Sequence, residues 1–413
     1  MSDTRTRKSV LFAGAYGIQN AGDDLPLILM CEHLTTLYPD VEFDFRALSR
    51  HPDPWEEQAY GVTMVKNLEF ESGDQAKGKW FQGLNFGDDT SALGAVKQEI
   101  RNSDLLVFGA GNFLIDITID TFRGPIPLLA VYVFLARLYH KPVVLYGISA
   151  GPIATAWGRE LTGWILENVD LVTVRDHQSK QVLQELNHLD RDIHVLPDST
   201  LAQKKVEAGG GALLPPRART YRLALGLRDV TRVTGAESAE RFNRVLIAVL
   251  DGFKDDFEFV FVPQSTYRED DDREYAARLA GLLGPDAVCR VLDRRYHPRD
   301  LIAVYGECDL TVAIRLHAAV FSAIAHTPVI ALNYLPKVRG FMDTIGLADY
   351  LRELEGLQAA ELSGLIERVL AERDHLVGEI RVKKAGLEQA AAGYAQLIRE
   401  HDLLKLGDRA VAP

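Results

Sequence analysis

Short runs of β-branched and aromatic residues alternate with stretches of helical spacing along almost the whole chain. That alternation leaves little room for anything but parallel sheets joined through helical crossovers. Strands are expected at residues 10–13, 41–45, 105–108, 143–147, 171–174 and 193–196. The pattern resumes at 223–227, 257–262, 289–292, 310–314 and 329–332, and from Leu357 onward good helix formers recur at helical spacing. Between the two series lies a break at 204–219, with Gly209-Gly210-Gly211 and Pro215-Pro216, which reads as a linker. The 413 residues exceed what one hydrophobic core supports. The sequence therefore predicts two Rossmann-like parallel-sheet α/β domains facing across a cleft, at 1–203 and 221–375, with a linker at 204–220 and a helical tail at 376–413.

Several function classes are disfavoured at once. A formal net charge of −12 does not suit a general nucleic-acid surface, which needs clustered Lys and Arg. Cys31, Cys289 and Cys308 are odd in number and far apart, so they fit neither a disulfide framework nor a zinc site, and read as small buried residues in a reducing cytoplasm. No His/Cys/carboxylate cluster has metal-ligand spacing, so no metal and no bound cofactor is expected. Residues 1–8 do not open a signal peptide. The longest apolar run, 128–138, is too short to span a bilayer and is expected as a buried helix. The acidic run Glu269 to Asp272 is expected to be a solvated loop or helix start. His326, at the far end of the expected helix 318–325, suits a C-terminal charge there. Self-association is left open.

In open parallel sheets ligands bind beyond the carboxyl ends of the strands, and those positions are unusually polar here. In the first half they hold Asn20 and Asp23, Asn112 and Asp116, Ser149, Arg175 and Asp176, and Asp198. In the second they hold Arg228 and Asp229, Gln264 and Ser265, Asp293, Arg315 and His317, and Asn333 and Tyr334 with Lys337 beyond. Two such sheets facing a cleft describe the glycosyltransferase-B type of architecture. The turn from Gly14 to Asp23 carries Gly14, Gly17 and Gly22 between a strand and a helix, allowing close backbone approach to a ligand. Asp24 is positioned to cap the helix that follows. Arg315 and His317 fall where a strand runs into a helix N-terminus. Cations are disfavoured there unless an anion binds, and the dipole favours a neutral imidazole able to move protons. The structural alternative is a buried salt bridge for Arg315 and a capping role for His317. Asp116 and Asp120 share a face if their segment is helical, with Asp116 the better acid–base candidate because it lies nearer the strand end. Arg175-Asp176 before Ser179 equally suits a helix cap with a local ion pair.

These residues resemble the polysaccharide pyruvyl transferases. The similar stretches are Gly14 to Asp23, Phe108-Gly109-Ala110-Gly111-Asn112 with Asp116, Gly151-Pro152, Val174-Arg175-Asp176 with Ser179, Asp198, Arg315-Leu316-His317, and Asn333-Tyr334 with Lys337. Departures from the family pattern at Ala110, Asn112 and Ser149-Ala150 lie on the expected acceptor side. The resemblance implies a glycosyltransferase-B-like fold and transfer of the enolpyruvyl group of phosphoenolpyruvate to a sugar, usually as a ketal. The implied partners are phosphoenolpyruvate and a sugar, nucleotide-sugar or lipid-linked saccharide acceptor. Arg315, Arg228 and Lys337, with Asn333 and Tyr334, would hold the donor anion. His317 and Asp116 would move protons. Gly17, Asn20, Gly22, Asp23, Asn112 and Asp198 would line the acceptor side or the cleft. Two other readings stay open: a nucleotide-sugar glycosyltransferase of the same architecture, and a non-catalytic binding protein of envelope assembly. A donor-binding screen and a turnover assay separate them.

Overall fold

The computed structural model describes residues 6–69, 92–116, 124–186, 190–206, 213–334 and 336–406. The chain forms two compact units. One comprises Met1–Ile18, Asp23–Ala202 and Gln389–Pro413, and the other Gln19–Gly22 with Gln203–Glu388.

The first unit holds a sheet of β1 (Thr6–Tyr16), β2 (Val41–Ser49), β3 (Thr63–Lys66), β4 (Leu105–Leu114), β5 (Val143–Ala150), β6 (Leu171–Val174) and β7 (Ile193–Val195). Its order is β3-β2-β1-β4-β5-β6-β7, parallel throughout. Successive side chains alternate between faces, so Leu11, Ala13, Leu106 and Phe108 enter one core, while Val10, Phe12, Leu105 and Val107 enter the other. Burial on both faces explains why these strands read as continuous apolar runs rather than alternating ones. Each such Leu or Phe contributes about 1.5–3 kcal/mol by leaving water.

In the second unit the strands are β8 (Tyr221–Gly226), β9 (Phe257–Phe261), β10 (Val288–Val291), β11 (Leu310–Ala313), β12 (Val329–Asn333) and β13 (Leu351–Glu353). They run parallel in the order β10-β9-β8-β11-β12-β13. Both sheets thus reverse winding direction beside their first strand, between β1 and β4 and between β8 and β11, the switch points where doubly wound sheets open a crevice. Gly226, the last residue of β8, leaves no room for a side chain, since a Cβ there would lie 2.2 Å from the Cβ of Ala318 on the helix Leu316–Ile324.

The α/β class and the two parallel sheets agree with the sequence pattern, and the chain ends in the helices Ala359–Ala371, Arg373–Ala391 and Gly393–Glu400. Details differ. The short strands β3 and β13 carry too few apolar residues to stand out. β4 and β5 continue past the expected ends, so Asn112 and Ser149 are register partners inside the sheet. The helix Ala21–Leu37 starts before Asp24, which is not its cap: Asn20 Oδ1 accepts from Gly22 N at 3.1 Å, and buried Asp24 accepts from Tyr60 Oη at 2.8 Å.

The expected tail does not stand apart, because Tyr394, Ala395 and Ile398 enter a core of the first unit. In the second unit, Arg217 bonds to Asp309 at 2.6 Å and Ala218 N to Glu258 at 2.8 Å, so this part of the expected linker is anchored. Gly209, Gly210 and Gly211 lie outside the described residues. The helix Pro125–Leu138 is largely buried but leaves Phe134 and Leu138 about half exposed. The surroundings of His326, just past the helix Leu316–Ile324, work against a helix-end charge. Burial holds it below the usual imidazole range, reinforced by Lys205 and Lys384. Among the described residues no helix is long and apolar enough to cross a membrane.

Candidate functional site

The switch point of the second sheet gathers most of the sequence-selected donor residues. Arg228 follows β8 and Arg315 follows β11, as the N-cap residue of the helix Leu316–Ile324. Asp270 lies between the two guanidinium groups: its Oδ1 accepts from Arg228 Nη2 at 2.9 Å and its Oδ2 from Arg315 Nη2 at 2.8 Å. Arg315 Nη2 also donates to Asp272 Oδ1 at 2.6 Å. The other oxygen of Asp272 accepts from the backbone N–H groups of Gln264 and Ser265, both at 3.0 Å. On the far side Arg228 Nη1 donates to Tyr334 Oη at 3.1 Å. A continuous polar chain therefore runs Tyr334, Arg228, Asp270, Arg315, Asp272, with its members drawn from the segments after β8, β9, β11 and β12, Asp272 being the first residue of a helix.

Arg315 is 8% exposed and Asp272 2% exposed. Burial alone would lower the Arg315 pKa, but Asp272 and Asp270 outweigh it and hold the guanidinium above its ordinary value. For Asp272, burial pushes the pKa up against the opposing pull of Arg315. Four buried atoms in this region have no hydrogen-bond partner: Nε of Arg228, Nε of Arg315, Oε1 of Gln264 and Oδ1 of Asn333. Buried polar atoms are rarely left unmatched, because each forgoes a hydrogen bond it had in water. A cluster of them at a sheet switch point marks a place where a ligand would complete the bonding.

The acidic run expected to be solvated is thus divided. Asp271 caps the helix Asp272–Leu282 through Arg273 N, in keeping with a helix start, whereas Asp270 and Asp272 are the counter-ions of the two arginines. Charge spacing alone does not reveal this, since it depends on the loop after β9 folding back over β8 and β11. The one available signal was the position of the run just past a strand end.

His317 lies in the first turn of the helix Leu316–Ile324, with its ring tilted against Phe321 at 6.4 Å between centroids. The segment Gln19–Gly22 borders it within the same unit. Ala21 N donates to Gln264 O at 2.9 Å, Thr266 N to Gln19 O at 3.0 Å, and Asn20 bridges to Ser265. A Cβ on Gly22 would fall 2.0 Å from His317 Nδ1, so only glycine lets the backbone pass this close to the imidazole. Asn333 Nδ2 donates to both oxygens of Glu353, and Lys337 is exposed on the first turn of the helix Pro336–Ile345.

The remaining selected residues belong to the first unit. Gly17 has φ +73, and a Cβ there would lie 1.9 Å from Ser49 Oγ, so its glycine serves the turn itself. Asp23 is in the first turn of the helix Ala21–Leu37, and Asn112 is exposed near the end of β4. Asp116 is not on a helix: its Oδ2 accepts from Thr155 N at 2.8 Å, just ahead of the helix Ala156–Glu167, and Asp120 lies outside the described residues. Asp198 accepts from Arg175 at 3.0 Å and from Thr200 Oγ1 at 2.6 Å. Asp176 caps the helix His177–Gln184 through Ser179 N. Burial pushes the thiols of Cys31 and Cys308 up, which suits small packed residues rather than nucleophiles. Among the described residues no group of His, Cys, Asp and Glu could hold a metal ion.

Residues 20–336 match the family model for polysaccharide pyruvyl transferases. The amylovoran biosynthesis protein AmsJ of Erwinia amylovora is 22% identical over 286 residues, which is 66% of this chain and 66% of that protein, just under two thirds of its length. Among solved structures, S. aureus MnaA with UDP aligns at a TM-score of 0.62 with 11% identity, covering 98% of this chain and 99% of the other. HepE of Anabaena with UDP and glucose aligns at 0.58 with 14% identity, over 95% and 98%. At such identities the likeness establishes a glycosyltransferase-B-like fold and nothing finer.

Proposed function

Because the chain belongs to the polysaccharide pyruvyl transferase family, we propose that it transfers the enolpyruvyl group of phosphoenolpyruvate to a saccharide acceptor, forming a ketal and releasing phosphate. The observation that carries this reading is the pair Arg228 and Arg315, joined through Asp270 and each with a buried Nε that lacks an acceptor. Phosphoenolpyruvate bears a carboxylate and a phosphate on one carbon, and two guanidinium groups suit that spread of oxygens.

The chemistry balances as follows. An acceptor hydroxyl oxygen bonds to C2 of phosphoenolpyruvate while the methylene takes up a proton and becomes a methyl group. A second hydroxyl oxygen then bonds to C2 as the C2–O bond to phosphate breaks. One hydroxyl proton is balanced by the new methyl group and the other leaves with the phosphate. His317, at the helix end beside Arg315, is the group we assign to proton delivery. Asp116 is assigned to proton removal, and Lys337, Tyr334 and Asn333 to the donor side. Gly17, Asn20, Gly22, Asp23, Asn112 and Asp198 are assigned to the acceptor side or the cleft. Of these, Gly17 and Asp198 act by shaping the backbone and ion pairs around them.

Thermal unfolding tests the donor, since a ligand of the folded state raises Tm by mass action. Phosphoenolpyruvate is expected to raise Tm with no sugar present, whether or not UDP-sugars also do so as acceptors. A rise with UDP-sugars and none with phosphoenolpyruvate replaces this reading with nucleotide-sugar transfer. Mass spectrometry of products from phosphoenolpyruvate and a panel of free, nucleotide-linked and lipid-linked sugars then identifies the acceptor. No product with any of them would favour a non-catalytic role.

A further inference from the structure

Asp270 and Asp272 both neutralise Arg315, but they are built differently. Asp272 is fixed on every side: one oxygen takes Arg315, the other takes two backbone N–H groups, and the side chain is 2% exposed. Asp270 sits in the loop ahead of the helix Asp272–Leu282. Its side chain is 35% exposed, and its carboxylate bonds are those to Arg228 and Arg315. A carboxylate bridging two guanidinium groups with one oxygen each is the contact that an incoming carboxylate or phosphate would make with the same pair.

Charge leads to the same residue. Two arginines against two aspartates sum to zero, which gives a highly charged anion no net attraction. With Asp270 swung out toward solvent the pair carries one net positive charge, while Asp272 still holds Arg315 in place. The buried Nε of each arginine remains without an acceptor while Asp270 is in place, so a carboxylate with two oxygens does not satisfy this pair. A ligand carrying both a phosphate and a carboxylate has oxygens to spare.

We propose that Asp270 is an internal stand-in for the donor anion, which displaces it on binding. Asp270 thereby sets the affinity of the site and keeps weaker monoanions out. This rests on the donor reading above and names the competitor within it. A displaced carboxylate is a cost subtracted from binding, so removing its charge tightens the site, whereas a structural ion pair would weaken it when cut.

The test measures binding of inorganic phosphate and of phosphoenolpyruvate by calorimetry at fixed ionic strength, for the full chain and the variants Asp270→Asn and Asp272→Asn. Asp270→Asn is expected to bind both anions about tenfold more tightly or better, the scale of one charge-assisted hydrogen bond removed from the competing state. Asp272→Asn is expected to lower Tm and to show no such gain. If the unaltered protein binds phosphoenolpyruvate and Asp270→Asn binds it equally or more weakly, Asp270 is a permanent counter-ion and this proposal alone falls. If Asp270→Asn does not fold, it falls as well, because a bond that a ligand displaces cannot be required for the fold. If neither protein binds either anion, the donor reading falls with it.

Discussion

The carboxyl edges of the two sheets hold their charged residues in different ways. Behind the first sheet, Asp198 is bonded to Arg175 and Thr200, and Asp116 meets the backbone at Thr155. Behind the second, Arg228 and Arg315 share the carboxylate of Asp270 and the buried Nε of each has no hydrogen-bond partner, whereas at the first edge the unmatched buried atoms include Ser49 Oγ at the end of β2. Polar residues past strand ends are therefore not equivalent. Unmatched atoms occur at both edges, and what sets the second apart is that two of them are guanidinium donors joined through one carboxylate. The second edge carries the donor site in our proposal.

The sharpest test of that contrast is catalytic. His317→Ala, if it remains folded, is expected to lower turnover about 10²–10⁴-fold at near-normal phosphoenolpyruvate affinity. Single-turnover kinetics beside a binding isotherm would measure both. Unchanged turnover under chemistry-limited conditions would remove His317 from the mechanism and leave Asp116 of the first unit as the acid–base group.

Stability comes next. Arg315→Ala strands Asp272 in a nearly water-free position and is expected to cost about 3–5 kcal/mol in urea denaturation. Arg175→Ala leaves Asp198 with Thr200 as donor, so its cost is expected to be about 1–3 kcal/mol. Equal losses would mean that the two edges are alike.

The glycines separate fold from function. Gly17→Ala is strained by its positive φ and by Ser49, with an expected loss of about 1–3 kcal/mol in stability. Gly22→Ala instead presses on His317, and its main effect should be on kcat, with a smaller shift in Tm. A Gly22→Ala enzyme of normal kcat would show that the imbalance assigned to the second unit does not extend to its histidine.

The smallest expected effect is on pH dependence, and it touches both units. Burial lowers the pKa of His33 in the first unit and of His326 in the second. Below about pH 6.5 the unfolded chain then binds more protons than the folded one. Stability is expected to be fully present above that pH and to decline as pH falls toward the depressed folded-state pKa values. His33→Gln and His326→Gln should each flatten part of the decline between pH 6.5 and 5 in denaturation curves. A slope unaltered by both would assign the loss to other groups.

The amino-acid sequence alone establishes the alternation of strands and helices, the two parallel sheets, and the polar positions past their ends. Apolar run length and turn chemistry are local quantities, and burial on both faces of a parallel sheet writes them directly into the chain. It also placed Arg228, Arg315 and His317 at strand ends, since those positions follow from the same pattern. Which polar residues share a site follows only from the folded chain. Asp270 and Asp272 looked like a solvated run because charge spacing says nothing about a loop folding back over two neighbouring strands. Asp24 looked like a cap and is instead a buried partner of Tyr60. Asp116 looked catalytic, and its carboxylate also meets the backbone ahead of a helix. Hydrogen bonding and desolvation act between residues far apart in sequence, so their balance exists only once the chain has folded.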